Sequence, residues 1–243
     1  MAVIAVYSVK GGVGKTTLAV SLAWSAATTS CRRTLLWDLD PQGGSGYLLG
    51  LEPGKRVQAA GILTREVDPA RAIRPTGIDR FDLLPADDSL RGLDSLFQRL
   101  GKRRRLAKLL EELSSTYERI VLDCAPGLDE TSAQILRAAD LVVVPLPPSP
   151  LARRALETIR DELSRNHKRH PPLLPVLSMV DARRRIHREA HAEFPDWPVI
   201  PMASQIEQIA VRRAPIGTFA ASSEPARALE RLWAGIERRL VAP

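Results

Sequence analysis

A glycine-rich segment near the start of the chain, residues 10–17, constrains the fold more than any other feature. It reads K-G-G-V-G-K-T-T, follows the apolar run of residues 3–6 and precedes an alanine-rich stretch of helical character. A strand that leads through such a turn into a helix presents backbone N–H groups and the positive end of the helix dipole to an anion. Lys15 can reach the outer phosphates of a nucleoside triphosphate, and the Thr16 hydroxyl can ligate Mg²⁺. The segment therefore predicts an α/β fold that binds a nucleoside triphosphate.

The spacing of this loop departs from the usual phosphate-binding pattern, G-x-x-x-x-G-K-[ST]. Val9 stands where the first glycine would be, and the loop has a second lysine, Lys10. One lysine already serves the bound phosphates, so Lys10 is either a solvated surface side chain or has a second role. In this form, K-G-G-x-G-K-[ST], the loop resembles that of the ParA/MinD family of P-loop ATPases.

The resemblance implies a role for each residue of the loop. In the family the early lysine crosses the interface of an ATP-sandwich homodimer and touches the partner subunit's nucleotide, so Lys10 is expected to act in trans. Lys10 and Lys15 are expected to assist catalysis, with ATP and Mg²⁺ as cofactors. The nucleotide would be held by seven consecutive residues: Gly11, Gly12, Val13, Gly14, Lys15, Thr16 and Thr17.

Short apolar runs alternate with helical stretches along the whole chain. The runs are residues 3–6, 34–37, 82–84, 119–122, 141–144, 173–177 and 199–200. Continuous apolar runs separated by helices indicate a parallel sheet that is covered on both faces. Right-handed crossovers then give a doubly wound sheet, with ligands beyond the carboxyl ends of its strands. We expect an α/β P-loop fold of this kind, mostly parallel, in a single domain over residues 1–243.

The spacing of apolar residues predicts two amphipathic helices, and the glycine and proline content of two other segments predicts loops. Leucines recur at helical spacing over residues 106–113, and apolar residues do so over residues 229–240. Residues 41–80 are rich in glycine, proline and scattered charge, which favours loops and short helices. The proline-rich residues 145–150 predict a rigid loop between a strand and a helix.

Two carboxylates follow the second predicted strand. The segment D-L-D-P-Q-G at residues 38–43 places Asp38 and Asp40 beside the phosphate-binding loop, and residues two apart on an extended chain face the same side. The alternative is that both carboxylates cap a loop. The resemblance implies that Asp38 lies near the Mg²⁺ shell, that Asp40 positions or activates the attacking water, and that Gln42 and Gly43 lie close to the γ-phosphate.

The predicted strand at residues 119–122 also ends in a carboxylate, Asp123, followed by C-A-P-G. Apolar or long side chains and then an aspartate form a Walker B arrangement, which holds Mg²⁺ directly or through water. Cys124 raises the alternative of an iron–sulfur cluster that bridges a dimer, but Cys31 precedes the second predicted strand, away from the nucleotide. We expect Cys124 to be a small buried thiol.

The residues that contact the base are less distinctly marked. The resemblance places adenine between the segments S-M-V-D at 178–181 and V-I-P-M-A at 199–203, which implies contacts from Asp181 and Pro201. Pro201 matches the family's I-P-R-N form. Met202 and Ala203 replace its arginine and asparagine, so the side-chain contact to adenine differs here.

The chain is basic, with 35 Lys and Arg against 28 Asp and Glu and a net charge of +7. Such a balance favours acidic partners such as DNA or an anionic membrane surface, although an arginine-rich solvated surface would give the same composition. The resemblance places a nonspecific DNA surface of the ATP dimer in the C-terminal third. We assign DNA binding to five arginines there: Arg184, Arg185, Arg188, Arg212 and Arg213.

Two other function classes remain open. A MinD-like protein would bind a membrane through a C-terminal amphipathic helix, but residues 226–240 are expected to form the last core helix instead. A P-loop enzyme of the dethiobiotin synthase type would act on a small molecule and would not need Lys10. Replacing Lys10 by alanine would separate this enzyme from an ATP-sandwich dimer.

Cysteine usage and hydropathy set the expected location. The chain has two cysteines, no signal-peptide pattern and no apolar stretch near the ~20 residues of a membrane span. We therefore expect a cytoplasmic protein. The resemblance further implies association with the nucleoid in the ATP-bound form, slow ATP hydrolysis, and a ParB-like or cargo-adaptor protein that stimulates it.

Overall fold

The computed structural model of the protein describes residues 1–51, 59–100, 104–166 and 170–241, and these ranges contain eight strands. The strands are β1 (Ala2–Val6), β2 (Thr34–Asp38), β3 (Arg74–Pro75), β4 (Phe81–Leu84), β5 (Arg119–Asp123), β6 (Leu141–Leu146), β7 (Leu173–Val180) and β8 (Val199–Pro201). They form one sheet in the order β3-β4-β2-β5-β1-β6-β7-β8. All neighbouring strands are parallel except β3, which runs antiparallel to β4.

Helices connect these strands and cover both faces of the sheet. They are α1 (Lys15–Thr28), α2 (Gly44–Leu48), α3 (Ala59–Thr64), α4 (Pro69–Ala72), α5 (Leu93–Leu100), α6 (Arg105–Leu113), α7 (Glu130–Ala138), α8 (Pro150–Asn166), α9 (Arg185–Glu193), α10 (Ser204–Arg212) and α11 (Glu224–Val241). Short 3₁₀ helices occupy Asp88–Gly92 and Ile216–Thr218.

The two faces of the sheet bury two separate hydrophobic cores. Val3 and Ala5 of β1 point into one core, which contains apolar residues of α3 and α5–α8. Ile4 and Val6 point into the other, which α1, α10 and α11 cover. A strand buried on both faces reads as a continuous apolar run, which is why the sequence marks it clearly. The predicted doubly wound, mostly parallel α/β fold is confirmed.

The C-terminal helix α11 is part of the core, as its apolar spacing predicts. Leu229, Leu232, Trp233 and Ile236 are all buried against the second core. Its polar face is tied to the sheet, since the guanidinium of buried Arg119 donates to both carboxylate oxygens of Glu237, at 2.7 and 2.9 Å. The apolar stripe of α11 therefore packs inside the protein.

Two segments differ from the sequence expectation. The prolines at 145–150 do not form one loop, because β6 continues to Leu146 and α8 begins at Pro150. Pairing of β6 with β1 ends at Val143, whereas pairing with β7 continues, so Pro145 lies where β6 has a single hydrogen-bonded neighbour and its missing N–H is tolerated. Residues 41–80 contain short helices as expected, and also the edge strand β3; residues 52–58 lie outside the described ranges.

Within the described ranges, no helix combines the length and the apolar character that a membrane crossing requires.

Candidate functional site

The loop between β1 and α1 is shaped by two glycines in left-handed conformations. Gly12 has φ 71° and Gly14 has φ 89°, values that side chains with a Cβ rarely adopt. Gly14 is the N-cap of α1, which has no side-chain cap and no acidic residue in its first turn. The free N–H groups at the start of α1 therefore face the loop, as an anion-binding helix N-terminus requires.

The position of Val9 explains the departure from the usual glycine spacing. Val9 has no left-handed φ and packs its half-buried side chain against the first core. A glycine is therefore not needed there by the backbone, and valine contributes apolar contact instead.

The two lysines of the loop differ in environment. Lys15 is 6% exposed, and its Nζ donates to the carbonyl oxygen of Lys10 at 3.0 Å. Burial lowers the pKa of Lys15, while the carboxylates of Asp123 and Asp40 act in the opposite direction. The half-buried side chain of Lys10 makes no hydrogen bond or ion pair to any residue that the structure describes. Lys15 is thus part of the site of its own subunit, and Lys10 is available to another partner.

Two fully buried carboxylates lie side by side at the carboxyl ends of β2 and β5. Asp38 and Asp123 are register partners in the sheet, and both are 0% exposed. Asp38 accepts the N–H of Asp40 on Oδ1 at 3.1 Å and the N–H of Ser45 on Oδ2 at 3.0 Å. Asp123 accepts the Ser45 hydroxyl on Oδ2 at 2.9 Å, while its buried Oδ1 has no hydrogen-bond partner.

This pair is costly to ionise without a cation. Burial, and then the charge of Asp123, raises the pKa of Asp38 well above its ordinary value. Burial raises the pKa of Asp123 to about 6, although the hydroxyls of Ser45 and Thr16 lower it. A buried carboxylate oxygen without a partner, next to the Thr16 hydroxyl, fits a divalent cation.

The composition of this donor set matches Mg²⁺ in particular. In the described part of the chain, no group of three or more His, Cys, Asp or Glu side chains could hold a metal ion by itself. Mg²⁺ keeps several waters and takes one or two carboxylates together with phosphate oxygens. The residues present at this edge of the sheet therefore fit Mg²⁺ bound with a phosphate ligand.

Asp40 lies in a tight turn that leads from β2 to α2. Its Oδ1 accepts the N–H of Gln42 at 3.0 Å, and its carbonyl oxygen accepts the N–H of Gly43 at 2.9 Å. The carboxylate is half-buried and close enough to influence both Lys15 and Asp123 electrostatically. The structure thus brings Asp38, Asp40 and Asp123 together at the carboxyl ends of β2 and β5, beside the loop.

Sequence reasoning missed two residues whose hydrogen bonds join the segments at the carboxyl ends of the strands. Ser45 bonds to both buried carboxylates, and only its place directly after D-L-D-P-Q-G-G could have indicated it. Tyr7, one residue after β1, is buried and its hydroxyl donates to the carbonyl oxygen of Gly127 in the loop after β5. A buried tyrosine needs a partner for its hydroxyl, which is the signal that an aromatic residue at a strand end carries.

The cysteines are placed as predicted. Cys124 is fully buried just after β5, and burial raises the pKa of its thiol. Cys31 is exposed and precedes β2, at the opposite end of the sheet. The two thiols therefore do not converge on one site within the subunit.

A mostly apolar pocket of about 120 Å³ adjoins the loop. Pro201, Met179 and Met202 line it, together with Gly14 of the loop and the carboxylate-bearing Glu207. Met179 has φ 55°, an uncommon conformation for a residue with a side chain, and it lies where the register between β7 and β8 is irregular. A flat aromatic base suits such an apolar slot beside the phosphate loop.

Of the two residues expected at the base, only Pro201 lines this pocket. The carboxylate of Asp181 is bound by the guanidinium of Arg183, with contacts of 2.9 and 3.0 Å. Hydrogen bonds from Arg183 lower the pKa of Asp181 to about 2. In this structure Asp181 therefore forms an ion pair instead of facing the pocket.

Three of the five arginines assigned to DNA lie at the start of α9, and all three are exposed. The side chain of Arg184 makes no hydrogen bond or ion pair to the residues that are described. Arg185 pairs with Glu189 at 2.6 Å, and Arg188 donates to main-chain carbonyl oxygens of the preceding turn.

The other two arginines lie at the end of α10 and stack on aromatic rings. The exposed Arg212 lies 4.9 Å from the ring centroid of Phe219. The half-buried Arg213 lies 4.8 Å from that of Tyr47 in α2. The five arginines thus form two clusters on separate helices, and their side chains differ in how freely they can reach a phosphate.

The chain is similar to known proteins over most of its length. Residues 1–175 match the family model described as an AAA domain. The chain is 32% identical over 190 residues to the sporulation initiation inhibitor protein Soj of Bacillus subtilis, covering 76% of this chain and 75% of Soj.

Solved structures cover nearly the whole chain. Cobyrinic acid a,c-diamide synthase from Mycobacterium smegmatis, with bound ADP and magnesium, superimposes with a TM-score of 0.82 at 28% identity, covering 99% of this chain and 95% of that one. McdA from Cyanothece, in complex with ATP, gives a TM-score of 0.85 at 20% identity over 100% and 97% of the two chains. The second likeness bears on the fold alone.

Proposed function

Because this chain belongs to the ParA/MinD family of P-loop ATPases, we propose that it is an ATPase whose ATP-bound dimer binds DNA nonspecifically. ATP hydrolysis, stimulated by a partner protein, resets the dimer so that the protein partitions DNA or positions a cargo. The family match and the relatives named as chromosome partitioning proteins support this assignment. The observation that carries the ATP site is the unpaired, buried Oδ1 of Asp123 beside the uncapped start of α1.

The roles of the residues at the ATP site follow from their placement. The loop N–H groups of residues 11–17 hold the phosphates, and Lys15 neutralises their charge. Thr16 and Asp123 hold Mg²⁺, which supplies charge neutralisation on the phosphates. Asp38 supports Asp123 and fixes the turn that carries Asp40, and Asp40 orients the water for attack.

The free side chain of Lys10 supports the dimer. Two triphosphates buried between two subunits need additional positive charge, because an unpaired buried charge is strongly unfavourable. The Lys10 side chain has no hydrogen-bond or ion-pair partner in the described part of its own subunit, and it lies in the same loop as Lys15. We therefore assign it to the nucleotide of the second subunit, within a single ATPase domain that spans residues 1–243.

The basic clusters at α9 and α10 support DNA binding. Phosphate contacts add through counterion release, so a dimer that doubles these clusters binds DNA much better than a monomer, with a steep salt dependence. The ATP-bound protein would then associate with the nucleoid. A ParB-like or cargo-adaptor protein would stimulate hydrolysis and release the dimer from DNA.

Size-exclusion chromatography tests the dimer. With ATP and Mg²⁺, the Asp40→Ala variant is expected to elute as a dimer, because it retains the phosphate loop and cannot position the attacking water. The Asp40→Ala, Lys10→Ala double variant is the matched control and is expected to stay monomeric. A monomer in both samples would refute the ATP-dependent dimer.

A mobility-shift assay tests the DNA surface. The ATP-bound Asp40→Ala protein is expected to shift plasmid DNA at low salt, and the added substitutions Arg184→Glu and Arg185→Glu are expected to abolish the shift. An unchanged shift in this variant would refute the assigned surface.

A small-molecule enzyme is the second candidate, and the similarity to a cobyrinic acid a,c-diamide synthase favours it. Such an enzyme completes its site within one subunit. Lys10→Ala would then leave ATP turnover unchanged, whereas the ATP-sandwich dimer loses it. Membrane association through α11 is disfavoured, since the apolar stripe of that helix is packed in the core.

A further inference from the structure

Ser45 connects the two buried carboxylates of the ATP site. It is 0% exposed and is the second residue of α2. Its N–H donates to Asp38 Oδ2 at 3.0 Å, and its hydroxyl donates to Asp123 Oδ2 at 2.9 Å. One residue thus contacts the carboxylates at the ends of two neighbouring strands.

These bonds decide which carboxylate oxygens remain free. Asp38 uses both oxygens for main-chain N–H groups, from Asp40 and from Ser45. On Asp123 the Ser45 hydroxyl occupies Oδ2, so the buried Oδ1 is the oxygen left without a partner. A carboxylate held by one oxygen cannot rotate freely, which fixes the direction of the other oxygen.

The start of α2 also lies against Thr16 in the first turn of α1. α2 is five residues long, and its N-cap, Gly43, provides no side-chain cap. A Cβ added at Gly44 would lie 3.0 Å from Cγ2 and 3.4 Å from Oγ1 of Thr16, so α2 begins in contact with that side chain. Gly44 thus places the start of α2 beside Thr16, and Ser45 bonds it to Asp38 and Asp123.

We propose that Ser45 is a positioning residue that directs Oδ1 of Asp123 toward the Mg²⁺ of the bound nucleotide. The inference rests on the Mg²⁺ and ATP binding of the proposed function, and not on the dimer or on DNA binding. Residues that hold a metal ligand in place by hydrogen bonding change metal affinity about 10- to 100-fold when they are removed. Loss of the Ser45 hydroxyl should therefore weaken Mg²⁺ binding without weakening the contacts of the phosphate loop.

The experiment measures binding of the fluorescent analogue mant-ATP while Mg²⁺ is titrated, and again in EDTA. In Ser45→Ala the backbone N–H to Asp38 remains, but the bond to Asp123 is lost. We expect the half-saturating Mg²⁺ concentration to rise about tenfold, with mant-ATP affinity in EDTA unchanged. Ser45→Thr keeps a hydroxyl and is expected to restore most of the Mg²⁺ response.

Ser21→Ala is the matched control. Ser21 is also a buried serine, but its hydroxyl donates at 2.7 Å to the Thr17 carbonyl oxygen within α1. This variant is expected to keep the wild-type Mg²⁺ titration. Should Ser45→Ala fail to fold, Ser45→Cys, with a weak donor of similar size, is expected to show the same rise in half-saturating Mg²⁺.

The possible outcomes distinguish failure of the Ser45 positioning role from failure of the proposed function. A folded Ser45→Ala or Ser45→Cys protein that titrates with Mg²⁺ like the wild type would overturn the positioning role. A wild-type protein whose mant-ATP binding does not respond to Mg²⁺ would instead overturn the proposed function.

Discussion

The guanidinium of Arg213 lies over the ring of Tyr47, 4.8 Å from its centroid, and its Nε donates to the Tyr47 carbonyl oxygen at 3.1 Å. Tyr47 belongs to α2, whose Ser45 contacts both buried carboxylates. Arg213 ends α10 with a left-handed φ of 52°. One short helix therefore links the end of α10 to the carboxylates of the ATP site.

This contact predicts a difference between the two arginine clusters in DNA binding. Arg184→Ala is expected to weaken DNA binding more than Arg213→Ala, because the Arg184 side chain has no hydrogen-bond or ion-pair partner among the described residues. Fluorescence anisotropy with duplex DNA at several salt concentrations measures this, and Arg184→Ala is expected to reduce the salt slope by about 1 per subunit.

The same pair of variants separates DNA binding from stability. Arg213→Ala loses the contact with Tyr47 and is expected to lower the free energy of unfolding by about 1 kcal/mol, measured by urea denaturation. Arg91→Ala, which removes an exposed arginine outside both clusters, should change neither quantity. A larger loss of DNA affinity in Arg213→Ala than in Arg184→Ala would show that Arg213 leaves Tyr47 to bind DNA.

Action of Lys10 in trans predicts complementation between two inactive variants. Lys10→Ala lacks the lysine that its partner needs, and Asp40→Ala lacks the residue that orients water in its own site. In a mixed dimer, the Lys10→Ala subunit keeps Asp40 and receives Lys10 from its partner. An equal mixture is expected to recover ATPase activity that neither variant has alone, because each mixed dimer has one complete site.

Phosphate release from each variant alone and from the mixture measures this complementation. Recovery would fail if Lys10 acted within its own subunit, because no combination would then complete a site. A mixture with no more activity than the separate proteins contradicts the role in trans.

Asp123→Asn is expected to stabilise the nucleotide-free protein while it removes the response to Mg²⁺. Burial raises the pKa of Asp123 to about 6, so ionising this carboxyl costs more in the folded protein than in the unfolded chain. Removing that charge should raise the free energy of unfolding in EDTA by about 3 kcal/mol at neutral pH. Thermal unfolding with and without Mg²⁺ and ATP measures both effects. A less stable Asn variant would mean that the bond from Ser45 outweighs the buried charge.

The strands could be predicted from the sequence because burial on both faces leaves a continuous apolar run. β1 shows this clearly, since all five of its residues are buried. The apolar pattern does not indicate β3, because β3 consists of Arg74 and Pro75, which are not strongly apolar and lie at the edge of the sheet. The sequence predicts a loop at Pro145 because a proline lacks the N–H that an inner strand uses, and only the pairing pattern shows that β6 accommodates it.

The sequence predicts the site residues that lie at strand ends, but it does not predict the contacts between residues far apart in the chain. The phosphate loop and Asp38, Asp40 and Asp123 lie at strand ends, where the order of strands and helices alone brings side chains together. The groups that accept the hydroxyls of Ser45 and Tyr7 belong to residues 78 and 120 positions away, so sequence spacing does not identify these partners. The ion pair of Asp181 likewise depends on a side-chain orientation that the sequence leaves open.

His187 predicts a loss of stability at mildly acidic pH. It is buried, and its Nδ1 accepts the N–H of Asp181 at 2.9 Å. Burial, and then the charge of Arg184, lowers the pKa of His187 below 6.5, although Asp181 opposes this. The unfolded chain therefore binds a proton more readily than the folded protein does. The stability that neutral His187 contributes is complete above pH 6.5, and it is lost as the pH falls through the lowered pKa of the folded state.

Urea denaturation between about pH 7.5 and about pH 5.5 measures this loss. The free energy of unfolding of the wild type is expected to fall more steeply than that of His187→Gln, which has no group to protonate there. His170→Gln, a change at an exposed histidine, should keep the wild-type slope. Equal slopes in all three proteins would exclude His187 as the source.

Gly217→Ala is expected to destabilise the protein by forcing an aromatic ring out of place. A Cβ at this position would lie 2.0 Å from Cη2 and 2.3 Å from Cζ2 of Trp24, whose ring packs against the second core from α1. Overpacking of this kind typically costs about 1–3 kcal/mol, which urea denaturation can measure.

Gly92→Ala is the matched control, since Gly92 also lies in a 3₁₀ helix but a Cβ there meets no atom within 4 Å. Adding Trp24→Phe to Gly217→Ala shortens the ring and should recover part of the loss, because the two sites are in contact and their effects are not additive. Equal losses in Gly217→Ala and Gly92→Ala would point to the backbone, not to Trp24, as the cause.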